Sequence, residues 1–392
     1  ITKIGSHTFE GTALTEIKLP ETLTEIRSYA FTESELEKII IPDSVTSMDT
    51  YIFSKCKKLI SVQIPNSREN INEGTFSGCV SLESIKLPDT VTTIWEKAFE
   101  GCTSLKNIEW GKSLQRIKGY AFKDCTSLTD VAIPDTVTSI EAGVFENCDG
   151  LVKVAVPNSV MIIGADIFYD CDSLTDVVLG NGITQIPESG FEHCDKLEKI
   201  VLPYRIKKIG DSAFKNCIAL TSITIPRATA AIGNSVFSYP SKMTIYGVPG
   251  TYAETYAADN SIKFAAQEVV VTKATLDQTE VTLNKGVNCK LKLAVEPANF
   301  TDEVNWRSTN PEIAAIDDSG LLTAKSVGTA TIKVTAGNES VSCKVTVVQP
   351  VSWISLNKNS LSMEALSTYQ LTARVYPEEA YNKKVEWSSS DE

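Results

Sequence analysis

Phenylalanine recurs at a nearly fixed interval between residues 9 and 237 of this chain of 392 residues. The first two intervals are 22 residues and every later one is 23. The series consists of Phe9, Phe31, Phe53, Phe76, Phe99, Phe122, Phe145, Phe168, Phe191, Phe214 and Phe237. A unit of this length is too short to bury its own apolar face, but stacked units share a continuous core. The period therefore predicts a solenoid rather than a compact domain.

Each repeating unit contains a pattern that predicts one short strand. In the segment LTDVAIP at 128–134, Val131 and Ile133 alternate with Asp130 and Ala132. A period of two is typical of a strand with one buried face. Proline cannot donate to a β-ladder, so it ends most of these runs. Stacking aligns the strands as a parallel sheet, and a second short apolar pair precedes the next phenylalanine.

The repeat resembles a known family. The pattern Phe-x-x-Cys-x-x-Leu-x-x-Val-x-Ile-Pro, as at 122–134, is similar to the BspA-like leucine-rich repeats, and the resemblance covers residues 1 to about 265. It implies a solenoid over 1–266 with a terminal cap at about 245–264, where a helix over 251–258 covers the open end of the core. The chain begins inside a repeat, so we expect further residues upstream.

After residue 266 the period stops and short alternating runs separated by Gly, Asn and Pro predict an all-β sandwich. Two motifs resemble bacterial immunoglobulin-like domains of group 2: Val304, Trp306, Ser308 and Gly328, Ala330, Ile332. We assign the first such domain to 267–349. Residues 350–392 match the N-terminal half of a second, truncated one, with Trp387 aligned to Trp306. Both tryptophans are expected in the core. The predicted fold class is mostly β, a leucine-rich-repeat solenoid of 23-residue units with a parallel sheet followed by immunoglobulin-like β-sandwich domains.

The cysteines are the residues that most invite a chemical role. Eight of them follow the phenylalanines by three residues: Cys56, Cys79, Cys102, Cys125, Cys148, Cys171, Cys194 and Cys217. No Cys-x-x-Cys pair suggests zinc, and only two histidines could serve as a base. Adjacent strands lie about 4.8 Å apart, whereas bonded Cβ atoms prefer about 3.8 Å. We interpret these cysteines as buried structural thiols. Cys289 and Cys343 are predicted to lie near the starts of two sandwich strands that run in opposite directions. This places them at opposite ends of the domain, which disfavours a disulfide without excluding it.

Charge narrows the possible partners. The net charge is −12 and the pI is about 4.9, which argues against nucleic acid or an anionic membrane as the main partner. No apolar run reaches the length of a membrane span, so no membrane insertion is predicted in this segment. There is no phosphate-binding loop, and nothing favours a catalytic residue, a metal or a cofactor. We predict that the protein is not an enzyme and is a monomer.

Function is expected on the outward positions of the strands, since the inward positions build the core. One outward column becomes small and apolar over four units, and the neighbouring column alternates in charge. An apolar stripe on an open sheet is a surface on which a partner can dock. Ladder stabilisation and the β-propensity of valine would explain the same residues without a ligand. The candidate binding residues are Glu109, Asp130, Ala132, Lys153, Ala155, Asp176, Val178, Lys199 and Val201.

The family resemblance implies a bacterial adhesion protein, extracellular and either on the cell surface or secreted. In this interpretation the solenoid contacts a host or matrix protein or a glycan, and the immunoglobulin-like domains are spacers. Two alternatives stay open: a purely structural envelope component, and a non-catalytic arm of a larger secreted enzyme.

Overall fold

The computed structural model describes residues 1–298, 300, 302–364, 366–378 and 380–389. These residues form two units. The first comprises 1–269 with Ala298 and Phe300, and the second comprises 270–297 and the described residues from 302 onward. The fold class predicted from the sequence is confirmed: the first unit is a solenoid of stacked rungs, and the second is built from antiparallel and mixed sheets.

The solenoid contains short strands, two in most rungs. They are β1 (Lys3–Ile4), β2 (Glu25–Ile26), β3 (Lys38–Ile40), β4 (Ser47–Met48), β5 (Ser61–Gln63), β6 (Asn70–Ile71), β7 (Ser84–Lys86), β8 (Thr93–Ile94), β9 (Asn107–Glu109), β10 (Arg116–Ile117), β11 (Asp130–Ala132), β12 (Ser139–Ile140), β13 (Lys153–Val156), β14 (Ile162–Ile163), β15 (Asp176–Leu179), β16 (Gln185–Ile186), β17 (Lys208–Ile209), β18 (Ser222–Thr224), β19 (Ala231–Ile232), β20 (Thr244–Gly247) and β21 (Lys263–Ala266).

The longer strands form the predicted parallel sheet, here called the front sheet, in four separate blocks. The blocks are β3-β5, β7-β9, β11-β13-β15 and β18-β20-β21. Strands were also expected at 16–18 and 199–201, but neither segment forms one. Ile200 and Leu202 are nevertheless buried. The alternating pattern predicts which side chains are buried. A side chain can be buried without its backbone forming the hydrogen bonds of a β-ladder.

A second parallel ladder, the side ladder, runs along the solenoid in strands of two residues. Its blocks are β1-β2-β4, β6-β8-β10-β12-β14 and β16-β17-β19. The sequence showed only an apolar pair at this place. Val137 and Ile140 are that pair in one rung, and both are fully buried. A strand of two residues is too short to produce a recognisable alternation, so the ladder was not predicted.

The phenylalanines form a continuous stack through the core. Successive ring centroids lie 5.1 to 6.1 Å apart from Phe9 to Phe237, with nearly parallel planes at most steps. The rings from Phe31 to Phe214 are at most 1% exposed. Trp110 meets the edge of Phe122 at 5.7 Å. Identical residues recur because each ring packs on a copy of itself one rung away.

The turn that carries each phenylalanine has an unusual backbone. In every rung from His7 to Ser235, the residue two places before the phenylalanine has a φ between 48° and 61°. The residue two places after it also has a positive φ from Gly11 to Asn216. L-residues adopt this left-handed region at a cost of about 1–2 kcal/mol. Hydrogen bonds between rungs, such as Tyr120 N–H to the Ala142 carbonyl at 2.9 Å, hold the turns in place.

The C-terminal end of the solenoid core is covered by a short helix. The sequence placed a helix at 251–258, and the structure has α1 (Tyr252–Asp259) between β20 and β21. Ala253, Tyr256 and Ala257 are its buried residues, so this face packs against the last rungs. A 3₁₀ helix (Pro240–Lys242) precedes β20.

The second unit begins with a nine-stranded sandwich. Its strands are β22 (Lys273–Leu276), β23 (Glu280–Asn284), β24 (Asn288–Lys290), β25 (Leu293–Glu296), β26 (Val304–Ser308), β27 (Ala314–Ile316), β28 (Leu321–Ala324), β29 (Gly328–Ala336) and β30 (Glu339–Val348). They form the sheets β23-β30-β29-β26, β24-β28-β27 and β22-β25. Trp306 is 8% exposed and lies in the core, as predicted.

The remaining described residues supply two paired strands, β31 (Trp353–Leu356) and β32 (Ala373–Tyr376). Trp387 was expected in a core, but its side chain is 54% exposed. A sandwich buries a tryptophan between two sheets. Among the described residues of 350–389, β31 and β32 form one sheet, and no second sheet is described that would cover Trp387. The prediction for Trp387 is therefore wrong for this structure.

Candidate functional site

The predicted apolar stripe lies on the front sheet and is in register over three rungs. Ala132 pairs with Ala155 across β11 and β13, and Ala155 pairs with Val178 across β13 and β15. Val178 is 53% exposed, although valine is usually buried. The flanking Val131 and Val154 point inward and are buried. Alternation along the strand thus places the stripe on the open face of a sheet whose other face is core.

The charged column runs beside the stripe in the same rungs. Asp130 pairs in register with Lys153, and Lys153 pairs with Asp176. The Lys153 ammonium lies 3.8 Å from the Asp176 carboxylate, and both side chains are at least half exposed. Exposed pairs contribute only about 0–1 kcal/mol. This column therefore contributes little to stability, and its main effect is to border the stripe with charged side chains.

The outer members of the predicted set are less closely joined to it. Glu109 lies on β9, in a different block from β11, and its carboxylate is 3.5 Å from the Lys86 ammonium. Lys199 and Val201 lie one rung beyond β15 in the segment without a strand. Both are exposed, and Val201 is 44% exposed. The structure thus groups Asp130, Ala132, Lys153, Ala155, Asp176 and Val178 into one patch and leaves the other three at its margins.

The repeat cysteines carry a hydrogen bond that sequence reasoning missed. Each thiol donates to the carbonyl of the phenylalanine in the preceding rung, and the distance from Cys125 Sγ to the Phe99 oxygen is 3.2 Å. The bond recurs from Cys56 to Cys217 at 2.9 to 3.2 Å. The same column holds Thr12 and Ser34 in the first two units. The column thus carries a hydroxyl or a thiol from Thr12 to Cys217, and this shared polar hydrogen is the signal that the sequence offered. Thr12 donates to the Phe9 carbonyl of its own unit, and the Ser34 hydroxyl lies 3.4 Å from Cys56 Sγ.

These thiols are unsuited to nucleophilic chemistry, which requires a thiolate. Burial raises the pKa of Cys102 and Cys217 to about 12. It also raises the pKa of Cys125 well above its ordinary value, and the neighbouring Cys102 and Cys148 add to this effect. All ten cysteines are free. The solenoid thiols are therefore neutral, as expected for structural residues.

Cys289 and Cys343 are unbonded, and they lie in different sheets of the sandwich, on β24 and β30. Cys343 is fully buried and Cys289 is partly exposed. Burial raises the pKa of Cys343, and the nearby Cys289 raises it further. The two thiols thus influence each other, although the sequence predicts that they lie at opposite ends of the domain.

Grouped ligands are the usual requirement for metal chemistry. Within the described ranges, no group of three or more His, Cys, Asp or Glu side chains is placed to hold a metal ion. No helix in the described part of the chain is long and apolar enough to span a bilayer.

The sequence DDSG at 317–320 forms the turn between β27 and β28. There the Asp317 carboxylate accepts hydrogen bonds from the backbone N–H groups of Ser319 and Leu321.

Comparison with known proteins gives the same division of the chain. The BspA type leucine-rich repeat region matches residues 2–129 and 115–244, and the bacterial Ig-like domain (group 2) matches 270–347 and 350–392. An uncharacterized protein of Clostridium acetobutylicum is 33% identical over 146 residues, which are 36% of this chain and 14% of that protein. The minor capsid protein of Enterobacteria phage T3 is 38% identical over 77 residues, covering 19% of this chain and 18% of that one. The chain thus spans less than a fifth of the length of the curated relatives it matches.

Two solved structures share the solenoid. A leucine-rich repeat protein from Bacteroides ovatus is 31% identical, with a TM-score of 0.58 over 68% of this chain and 76% of that one. The pneumococcal vaccine antigen PcpA is 20% identical, with a TM-score of 0.50 over 69% and 78%, and this likeness shows the fold alone. The family matches, the 23-residue rungs and the stacked phenylalanines lead to one conclusion: the chain belongs to the BspA-type leucine-rich-repeat family and continues into group 2 bacterial immunoglobulin-like domains.

Proposed function

We propose that this chain is a non-catalytic binding protein of the bacterial cell surface or its surroundings. Its front sheet contacts a host or matrix protein or a glycan, and its immunoglobulin-like domains are spacers. The observation that carries the proposal is the stripe of Ala132, Ala155 and Val178, which is in register on the outward face of the front sheet. Family membership supports the same function.

The pattern of apolar and charged side chains on the front sheet favours a macromolecular partner. The stripe is apolar, bordered by the alternating charges of Asp130, Lys153 and Asp176. Protein interfaces combine an apolar centre with a polar rim in the same way. Strand addition is available only at β11 and β15, the edges of the block, because the inner strand β13 pairs on both sides. A partner that lies across the face of the sheet would be recognised by side chains.

We expect the double substitution Val178→Lys and Val201→Lys to abolish capture of the ligand while leaving the melting temperature nearly unchanged. Two added ammonium groups would be desolvated under a docked partner, which is costly. In the free protein both side chains reach solvent. The measurement is retention of the full chain on immobilised fibronectin, laminin and collagen and on printed oligosaccharides, together with a thermal melt.

The matched control is Ile162→Lys. Ile162 is 60% exposed on β14, so this change also adds a lysine to an exposed apolar position, but on the side ladder. Capture should be unaffected in this variant. Undiminished capture by the double variant would contradict the proposal, as would an equal loss in the control.

A further inference from the structure

A polar groove lies outside the phenylalanine turns and crosses four consecutive rungs. Its volume is about 600 Å³, which is within the range of about 300–1,000 Å³ typical of small-ligand sites. The residues that line it are Lys97, Glu100, Tyr120, Lys123, Glu146, Asp166 and Tyr169. None of them belongs to the front sheet, so this groove is separate from the proposed docking stripe.

The missing side chain of Gly143 leaves room for the Tyr120 ring, which lines the groove. The column two places before the phenylalanines contains Lys97, Tyr120, Gly143 and Asp166 in successive rungs. Gly143 has a φ of 61°, and a Cβ there would lie 2.4 Å from a carbon of the Tyr120 ring. The Tyr120 ring therefore lies against the backbone of Gly143. Tyr120 and Asp166, which both line the groove, belong to rungs two apart, or about 10 Å along the solenoid.

The walls of the groove alternate between donors and acceptors of hydrogen bonds. The Lys123 ammonium is 2.8 Å from the Glu146 carboxylate and 5.6 Å from the centre of the Tyr120 ring. The side chains of Lys123 and Glu146 are only 25% and 16% exposed, so the pair is partly shielded from water. Burial raises the pKa of Asp166, and the carboxylates of Glu146, Glu188 and Glu192 raise it further. Within the described residues no hydrogen bond to the Asp166 carboxylate is formed.

The backbone beneath the groove is already paired. Tyr120 N–H donates to the Ala142 carbonyl and Gly143 N–H donates to the Ala165 carbonyl, both at 2.9 Å. A peptide that binds as an added strand needs free backbone groups, and these are occupied. A ligand in this groove must be recognised by side chains.

We propose that this groove binds an oligosaccharide, with one sugar ring resting on Tyr120 and its hydroxyls bonded to Asp166, Glu146 and Lys97. Sugar hydroxyls donate and accept hydrogen bonds, so they can satisfy carboxylates, ammonium groups and phenols together. An anion would face three carboxylates, and an apolar ligand would strip water from five charged groups. The proposal does not depend on the function assigned to the front sheet.

The test uses the full chain on an array of printed neutral and amino-sugar oligosaccharides, followed by titration calorimetry with the best trisaccharide. We expect wild-type protein to bind at least one oligosaccharide class. Tyr120→Ala should weaken that binding by at least about tenfold, because it removes the aromatic contact surface. Asp166→Asn should also weaken it, since it exchanges an acceptor for a donor with little change of shape. Asparagine tolerates the left-handed backbone that this position requires.

The matched control is Tyr51→Ala. Tyr51 has the same positive φ and lies over Gly74 just as Tyr120 lies over Gly143, but it does not line the groove. This variant loses the packing on the glycine and, in addition, the stacking on Tyr29 at 5.3 Å and the hydrogen bond to Glu73 at 2.8 Å. It should therefore disturb its turn at least as much as Tyr120→Ala does, yet keep its sugar binding. The proposal is overturned if no oligosaccharide retains the wild-type protein, if Tyr51→Ala weakens binding as much as Tyr120→Ala, or if the only ligands found are polypeptides that bind equally after removal of their glycans. Val178→Lys with Val201→Lys should leave intact the binding of the oligosaccharide that Tyr120→Ala weakens, and this outcome separates the groove from any glycan bound by the front sheet.

Discussion

Replacement of Phe122 by alanine should lower the free energy of unfolding of the solenoid by about 3–5 kcal/mol, the usual loss for a fully buried phenylalanine. Phe122 is fully buried and sits between Phe99 at 5.1 Å and Phe145 at 5.7 Å. Its loss leaves a cavity that rungs fixed by hydrogen bonds on both sides cannot close. Urea denaturation followed by circular dichroism measures the effect.

The control for this prediction is Phe237→Ala. Phe237 is only partly buried, and among the described rings it stacks on Phe214 at 6.1 Å. Because a repeat protein is stabilised by contacts between neighbouring rungs, a substitution in the last ring before the cap disrupts one stacking contact where a central one disrupts two. We expect a loss well below that of Phe122→Ala. Equal losses, or a loss under about 1 kcal/mol for Phe122→Ala, would show that the stack does not hold the rungs together as described.

The phenylalanine stack and the buried strand positions were predictable because the same contact repeats in each rung. A column in which Phe99, Phe122 and Phe145 pack on one another requires the same residue each time, and that requirement is visible as a period. Alternation at Val131 and Ile133 was visible for a similar reason, since one face of every front strand is core. In both cases a residue type recurs in the sequence because the same packing contact recurs in each rung.

The turns beside the phenylalanines were not predictable from local sequence. The residues with positive φ at one position include Tyr29, Lys97 and Asp166, and tyrosine and lysine are not typical of this backbone. Hydrogen bonds to the next rung impose the conformation and override local preference. The candidate groove was missed for a related reason. Its lining consists of residues that differ from rung to rung, such as Lys97, Tyr120 and Asp166 in one column, whereas the period reflects only what the rungs share.

The strands of the front sheet show a second limit. The sequence predicted outward positions at Asp130, Ala132 and Val178 equally with those at Lys199 and Val201, because burial alternates in all of these rungs. Only the first three fall in one hydrogen-bonded block. Whether adjacent rungs lie close enough for their strands to pair depends on the turns at both ends of the strand. The residues of one outward column do not determine that distance.

Alkaline pH should destabilise the solenoid steeply, beginning near pH 9. The eight repeat thiols keep their protons in the folded state, since burial raises each pKa above the ordinary 9.0. In the unfolded chain they ionise near pH 9. Unfolding then releases protons, so the stability that the neutral thiols contribute is complete below pH 9 and is lost as the pH rises toward their folded pKa values.

The loss is about 1.4 kcal/mol per thiol for each pH unit above 9, so eight thiols acting together would remove an amount comparable to the whole stability of a typical domain, about 5–15 kcal/mol. Urea midpoints between pH 7 and 10, read from amide hydrogen exchange within residues 1–269, measure it. Cys125→Ser should reduce the slope by one proton, because a serine hydroxyl does not ionise in this range. Cys289→Ser alters a partly exposed thiol of the sandwich and should leave the solenoid slope unchanged. A solenoid midpoint that stays constant from pH 8 to 10 would mean that the thiols are ionised, or accessible to water, in the folded rungs.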